Sequence, residues 1–136
     1  MNGKEYQSYA MRTNDGKSTN RLRANLEIVD YFKQEKSPIP EGSMDLGGIL
    51  NGCLGLSGEV GEFNDLIKKW IFHEKRIDLD HAKKELGDVM WYIAMICESF
   101  AWDMDEIMQL NVDKLKARYP EGFDPDKSNN RTANDV

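Results

Sequence analysis

The sequence predicts an all-α protein, a bundle of several helices in which two carboxylate-bearing helices pair antiparallel. Three observations carry that expectation. Apolar residues recur at three- and four-residue spacing through most of the chain. No stretch alternates with period two between turn signals, so a β-sheet has no support. Caps and chain breakers fall where the periodic runs stop.

Residues 1–13 carry a short helical pattern through Tyr6, Tyr9 and Ala10, ending near Met11-Arg12-Thr13. Asn14 to Ser18 is a turn cluster. A second helix is expected over about 20–34, with Leu22, Leu26, Val29 and Phe32 on one face. Pro38, Pro40 and Gly42 forbid its continuation, so Lys36 to Ser43 reads as a loop. From Met44 to about His73 the pattern is helical again, either continuous or slightly broken near Ser57, where Ser57 would cap a helix. The run contains six glycines, each costing up to about 1 kcal/mol in a helix interior. Gly48, Gly52 and Gly55 share a face, which suits close approach of another backbone. Asp78 or Asp80 caps the next helix, which runs to about Phe100. Asp103-Met104-Asp105-Glu106 resembles a capping box and opens a last helix to about Tyr119, where Pro120 and Gly122 end it. One domain over 1–123 is expected, with 124–136 a loose polar tail.

With 136 residues, 40% hydrophobic and 31% charged, the chain is long enough for one core. A net charge of -6 argues against a nucleic-acid polymer as partner. Cys53 and Cys97 read as small buried hydrophobes of a reducing compartment. No apolar signal core and no membrane-length apolar run are present, so a cytoplasmic protein that does not span a membrane is expected.

The chemistry concentrates in Gly58-Glu59-Val60-Gly61-Glu62-Phe63 and its near copy Glu85-Leu86-Gly87-Asp88-Val89. On a helical wheel centred on Val60, the residues Leu56, Phe63, Ile67, Trp70 and Ile71 form an apolar arc, with Glu59 inside it and Glu62 at its edge. On the second wheel, centred on Leu86, Ala82, Val89, Met90, Ile93, Ile96, Cys97 and Phe100 form the arc, and Glu85 and Asp88 take the same flanking places. Four carboxylates bordering a core are costly unless something positive neutralises them. Clustered Asp and Glu oxygens without Cys or His suit a hard cation, Mg²⁺ with Mn²⁺ able to substitute. That points to metal-assisted hydrolysis of a phosphoanhydride. A single Glu-x-x-Glu on a helix is more often a solvated face; the recurrence on two facing helices is what shifts the balance.

Cations for a phosphate substrate are at hand. On the last helix Asn111, Lys114 and Arg118 fall with Ile107 and Leu110 on the side expected to face the bundle. Lys114 and Arg118 either grip a polyphosphate or complement the helix C-terminus. Lys69 lies beside Glu62 as counter-ion or phosphate contact, and Lys68 points to solvent. Tyr92, one turn after Asp88, is a base or carboxylate contact, or a half-buried tyrosine with a wet hydroxyl. Trp91, on the polar side of its wheel, hints at a subunit contact. His81, three residues after Asp78, reads as a surface histidine behind a cap, since no Glu-x-x-His pair supports a di-iron bundle. No P-loop is present. The rival to an enzyme is a non-catalytic helical, oligomeric interaction module with an acidic metal-binding patch.

These motifs resemble the MazG-like nucleotide pyrophosphohydrolases of the all-α NTP pyrophosphatase superfamily, over roughly Leu50 to Asp124. Gly55 to Glu62 is similar to the family's first acidic motif, Lys84 to Val89 to its ExxD motif, and Asn111 to Pro120 to its closing helix. Tyr6 to Thr13 also resembles the N-terminal segment of short members. The first motif is usually written EExxE, and Gly58 stands where its leading acid would be. The resemblance implies Mg²⁺-dependent hydrolysis of a nucleoside triphosphate, NTP or dNTP, to monophosphate and pyrophosphate, by a homodimer or homotetramer. It implies Glu59, Glu62, Glu85 and Asp88 as catalytic metal ligands, with Asn111, Lys114 and Arg118 at the phosphates.

Overall fold

The structure, a computed structural model, describes residues 1–34 and 44–130, and of residues 28–34 the backbone alone. Every regular element among them is helical. The loop expected over 36–43, the side chains of Val29 and Phe32, and residues 131–136 of the tail lie outside the described residues. The chain divides into two compact units, Met1–Leu46 and Gly47–Val136.

In the first unit, α1 (Gly3–Ala10) starts in a capping box: the Glu5 amide donates to Asn2 Oδ1 at 2.9 Å, and the Asn2 amide to Glu5 Oε2 at 2.8 Å. A 3₁₀ turn over Met11–Thr13 ends it, and Gly16, at φ 70°, takes the left-handed turn before α2 (Ser18–Gln34). The guanidinium of Arg21 forks onto Asp15 across that turn.

The second unit holds the candidate site. Its α3 (Leu46–Phe72) is one unbroken helix of 27 residues, so Ser57 caps nothing and the glycines are carried within it. Asp78 caps α4 (Leu79–Phe100) by accepting from the amides of Asp80 and His81. Ala101 ends α4 in the left-handed region at φ 55°, and Phe100 and Trp102 stack at 4.1 Å around that stop. Asp103 caps α5 (Met104–Arg118). A short α6 (Pro125–Asn129), capped by Asp124, stands in the segment expected to be without regular structure.

Gly52 lies against Ile96, Gly55 against Tyr92, and Glu59 beside Glu85 and Asp88. Rising positions on α3 meet falling positions on α4, so the pair is antiparallel, as expected. Burial follows heptad spacing: Ala82, Glu85 and Ser99 are buried and Val89, Tyr92 and Ile96 half-buried on α4. On α3 the same row is Gly48, Gly52, Gly55, Glu59 and Leu66, buried or half-buried, with the exposed Glu62 at the remaining place. The contact line therefore runs through glycines and glutamates. A Cβ on Gly55 would sit 2.1 Å from Tyr92 Cε1, so only glycine permits this approach.

This corrects the wheels centred on Val60 and Leu86. Those two residues are 40% and 49% exposed, and Trp70, Ile71, Met90 and Ile93 share their exposure. Among the described residues the buried apolar side chains are Ala82 and Cys97, while Cys53 is exposed. Large side chains flank the helix contact without filling it, so burial within this chain supplies only part of their transfer free energy.

Candidate metal centre

The heptad row places Glu59 on α3 opposite Glu85 and Asp88 on α4. One oxygen from each of the three lies within 4.8 Å of the others. Their surroundings differ: Glu85 is 7% exposed, Glu59 half-buried and Asp88 exposed. Glu62 lies outside that triad. It is exposed and lines an open hollow at the same end of the helix pair with Lys69, Lys75, His81 and Glu85. Gly58, where the family pattern has an acid, borders this hollow, and a Cβ there would meet nothing within 4 Å.

The cluster is short of positive charge. Desolvation, then the charges of Glu62, Asp88 and Glu85, push the Glu59 carboxyl above its ordinary value near 4.5. Lys69, expected beside Glu62, turns instead to Asp65, its Nζ 2.5 Å from Oδ2, while Lys68 Nζ lies 2.8 Å from Oδ1. Hydrogen bonds from Lys68 and then Lys69 hold Asp65 at about 2. Lys69, one of the cations lining the hollow, therefore already serves a fifth carboxylate, one turn along α3 from Glu62.

His81, expected to be a plain surface side chain, has its Nε2 3.2 Å from Glu85 Oε1, one turn along α4. Its i,i+4 spacing to Glu85 was the available sequence signal. Tyr92 is half-buried with its ring on Gly55 and edge-on to Trp91 at 4.9 Å, a helix-packing role. On α5, Asn111 and Lys114 are exposed and line a separate hollow with Ile107 and Leu110. Arg118 is half-buried, its guanidinium 5.9 Å from the centre of the Tyr119 ring. Among the described residues no part of α5 is buried, so the side chains expected at the phosphates stand on an exposed helix.

Among the described helices none is long and apolar enough to cross a membrane. No solved structure matches this chain. The Gene 37 protein of Mycobacterium phage L5 is 35% identical over 88 residues, which cover 62% of this chain and 77% of the relative. The model of the MazG nucleotide pyrophosphohydrolase domain matches residues 50–123, a stretch that holds the contacts of Gly52 with Ile96 and Gly55 with Tyr92, all four candidate acids and α5. The match takes in more than half of the chain, which therefore belongs to the MazG nucleotide pyrophosphohydrolase family.

Proposed function

We propose that this chain hydrolyses nucleoside triphosphates, NTP or dNTP, to the monophosphate and pyrophosphate in a Mg²⁺-dependent reaction serving nucleotide-pool housekeeping in the cytoplasm. One observation carries the reading: Glu59, Glu85 and Asp88 offer three carboxylate oxygens to one point across two helices. Three like charges held together, one nearly buried and one with a raised pKa, suit a divalent ion that takes oxygen ligands. Carboxylate oxygens within 4.8 Å of one another would need only small side-chain rotations to share one such ion, which would offset their mutual repulsion.

Glu59, Glu85 and Asp88 would hold the ion, and Glu62 would join them or face the reacting water. A bound divalent ion would supply charge screening at the phosphates and a more acidic water. Glu62, exposed at the rim of the hollow, is suited to orient the attacking water and take its proton. Asn111, Lys114 and Arg118 would bind the phosphates and favour the departing pyrophosphate. Lys69 would reach a phosphate by exchanging its contact with Asp65. Tyr92 would contact the base or a carboxylate while keeping its ring on Gly55.

The same reading includes a homodimer or homotetramer. Leu54, Met90 and Trp91 are 75%, 60% and 59% exposed on the two site helices, and a second copy would bury such apolar area. Glu62→Gln keeps the size of the side chain and removes the base. We expect it to abolish pyrophosphate release while the helical circular dichroism stays that of the parent. Full activity in Glu62→Gln would remove Glu62 from the mechanism.

A further inference from the structure

The acids of the candidate centre are not equally held. Glu85 is the buried one, and a buried carboxylate needs a hydrogen-bond donor as well as any cation. Its neighbour on the hollow is His81, whose Nε2 lies 3.2 Å from Glu85 Oε1. His81 sits in the first turn of α4, where the Asp78 carboxylate accepts from its backbone amide at 3.0 Å. The cap fixes the backbone of His81, and His81 in turn reaches the carboxylate one turn on.

We propose that His81 is a positioning residue for the metal centre: from this 3.2 Å contact a small turn of the imidazole lets Nε2–H donate to Glu85 Oε1 and so presents the other carboxylate oxygen to the ion shared with Glu59 and Asp88. The inference rests on the metal reading above. Both the neutral Nε2–H tautomer and the imidazolium donate this bond, so the role does not depend on the histidine titrating. A ligand carboxylate that turns freely must be ordered when the ion binds, and one already held by a donor need not be. Removal of such orienting partners typically weakens metal affinity about 10–100-fold. Of the lysines nearby, Lys69 is engaged by Asp65 and Lys83 lies 3.6 Å from Asp80; Lys75 lines the same hollow, and the His81 substitutions leave it in place.

Glutamine places an amide N–H close to where the imidazole Nε2–H stands, whereas phenylalanine keeps the ring and removes the donor. The test is calorimetric titration of Mn²⁺ into the full-length parent, His81→Gln, His81→Phe and His81→Ala, with metal-free thermal melts beside them. His81 is half exposed, so all four fold alike. The inference expects His81→Phe and His81→Ala to bind Mn²⁺ at least about 10-fold more weakly, and His81→Gln within about 3-fold of the parent. Equal affinity in the parent and His81→Phe would overturn the positioning role and leave the metal reading standing. Equal weakening in His81→Gln and His81→Phe would also overturn it, because the hydrogen bond would then not be the cause. No Mn²⁺ binding by the parent would overturn the metal reading, and this inference with it.

Discussion

Gly55→Ala tests the link between helix packing and the candidate centre. The added Cβ would lie 2.1 Å from Tyr92 Cε1, 2.3 Å from Cζ and 2.5 Å from Cδ1. Ordinary contact begins at 3.4 Å, so the ring or the helix must move by the difference between 3.4 and 2.1 Å, about 1.3 Å. Overpacking of this kind costs about 1–3 kcal/mol, against a gain of up to about 1 kcal/mol from replacing a helical glycine. The net loss is up to about 2 kcal/mol, or a fall in Tm of up to about 8 °C for a chain of this size. Tyr92 is one turn from Asp88, so the same displacement opens the gap between Glu59 and Asp88. We expect Mn²⁺ affinity to drop at least about 10-fold, because a misplaced ligand loses its share of the coordination. Gly87→Ala is the control, since a Cβ at Gly87 meets nothing within 4 Å; it gains about 0.5–1 kcal/mol. Thermal melts and Mn²⁺ calorimetry read both effects. A Gly55→Ala protein that melts at or above the parent with unchanged Mn²⁺ affinity would refute the close approach of α3 and α4.

Other expectations follow from the charges. Glu59→Gln removes the carboxylate that its neighbours repel, so the metal-free protein should melt higher at pH 7 while its Mg²⁺-induced rise in Tm disappears; a lower metal-free Tm would contradict the repulsion. Folded Glu59 binds its proton at higher pH than in the unfolded chain. Metal-free stability should therefore rise as pH falls from neutral through that raised value, and Mn²⁺ affinity should fall over the same range as protons compete. Asp65, held at about 2, and Asp78, lowered chiefly by the His81 amide, act with the opposite sign. Their contribution is present above about 4 and is lost as pH falls below that, in the case of Asp65 towards about 2. Melts in 0.5-unit steps across the acid range check both signs.

The helices and their stops were legible because local signals set them. Asp78, one of the two expected caps, starts α4, Asp103 starts α5, and Pro120 and Gly122 follow the end of α5. The two acidic motifs also faced each other as expected, since an antiparallel pair joined by a short connector has few alternatives. The centre of the contact differs from what the helical wheels predict. Large apolar residues such as Val60, Trp70, Leu86 and Met90 dominated each wheel, yet they are half exposed in this chain, while glycine and glutamate occupy the seam. The heptad row of Ala82, Glu85, Val89, Tyr92, Ile96 and Ser99 was available, but it is apolar at only some places and so carries a weak hydrophobic signal. The wheel angle of Lys69 puts it beside Glu62, but Asp65, four residues before it, competes successfully at i,i+4 spacing. The union of α5 with the acids stays an inference from the sequence, because helix periodicity fixes which residues share a face and not what that face meets.

The central claim, a divalent-metal pyrophosphohydrolase built on four carboxylates, is tested most directly by supplying a panel of NTPs and dNTPs with Mg²⁺ and following both products in one reaction. The account predicts equimolar nucleoside monophosphate and pyrophosphate from at least one nucleotide, lost on adding EDTA and restored by excess Mg²⁺. Release of orthophosphate in place of pyrophosphate, turnover undiminished by EDTA, or no turnover of any nucleotide would contradict it.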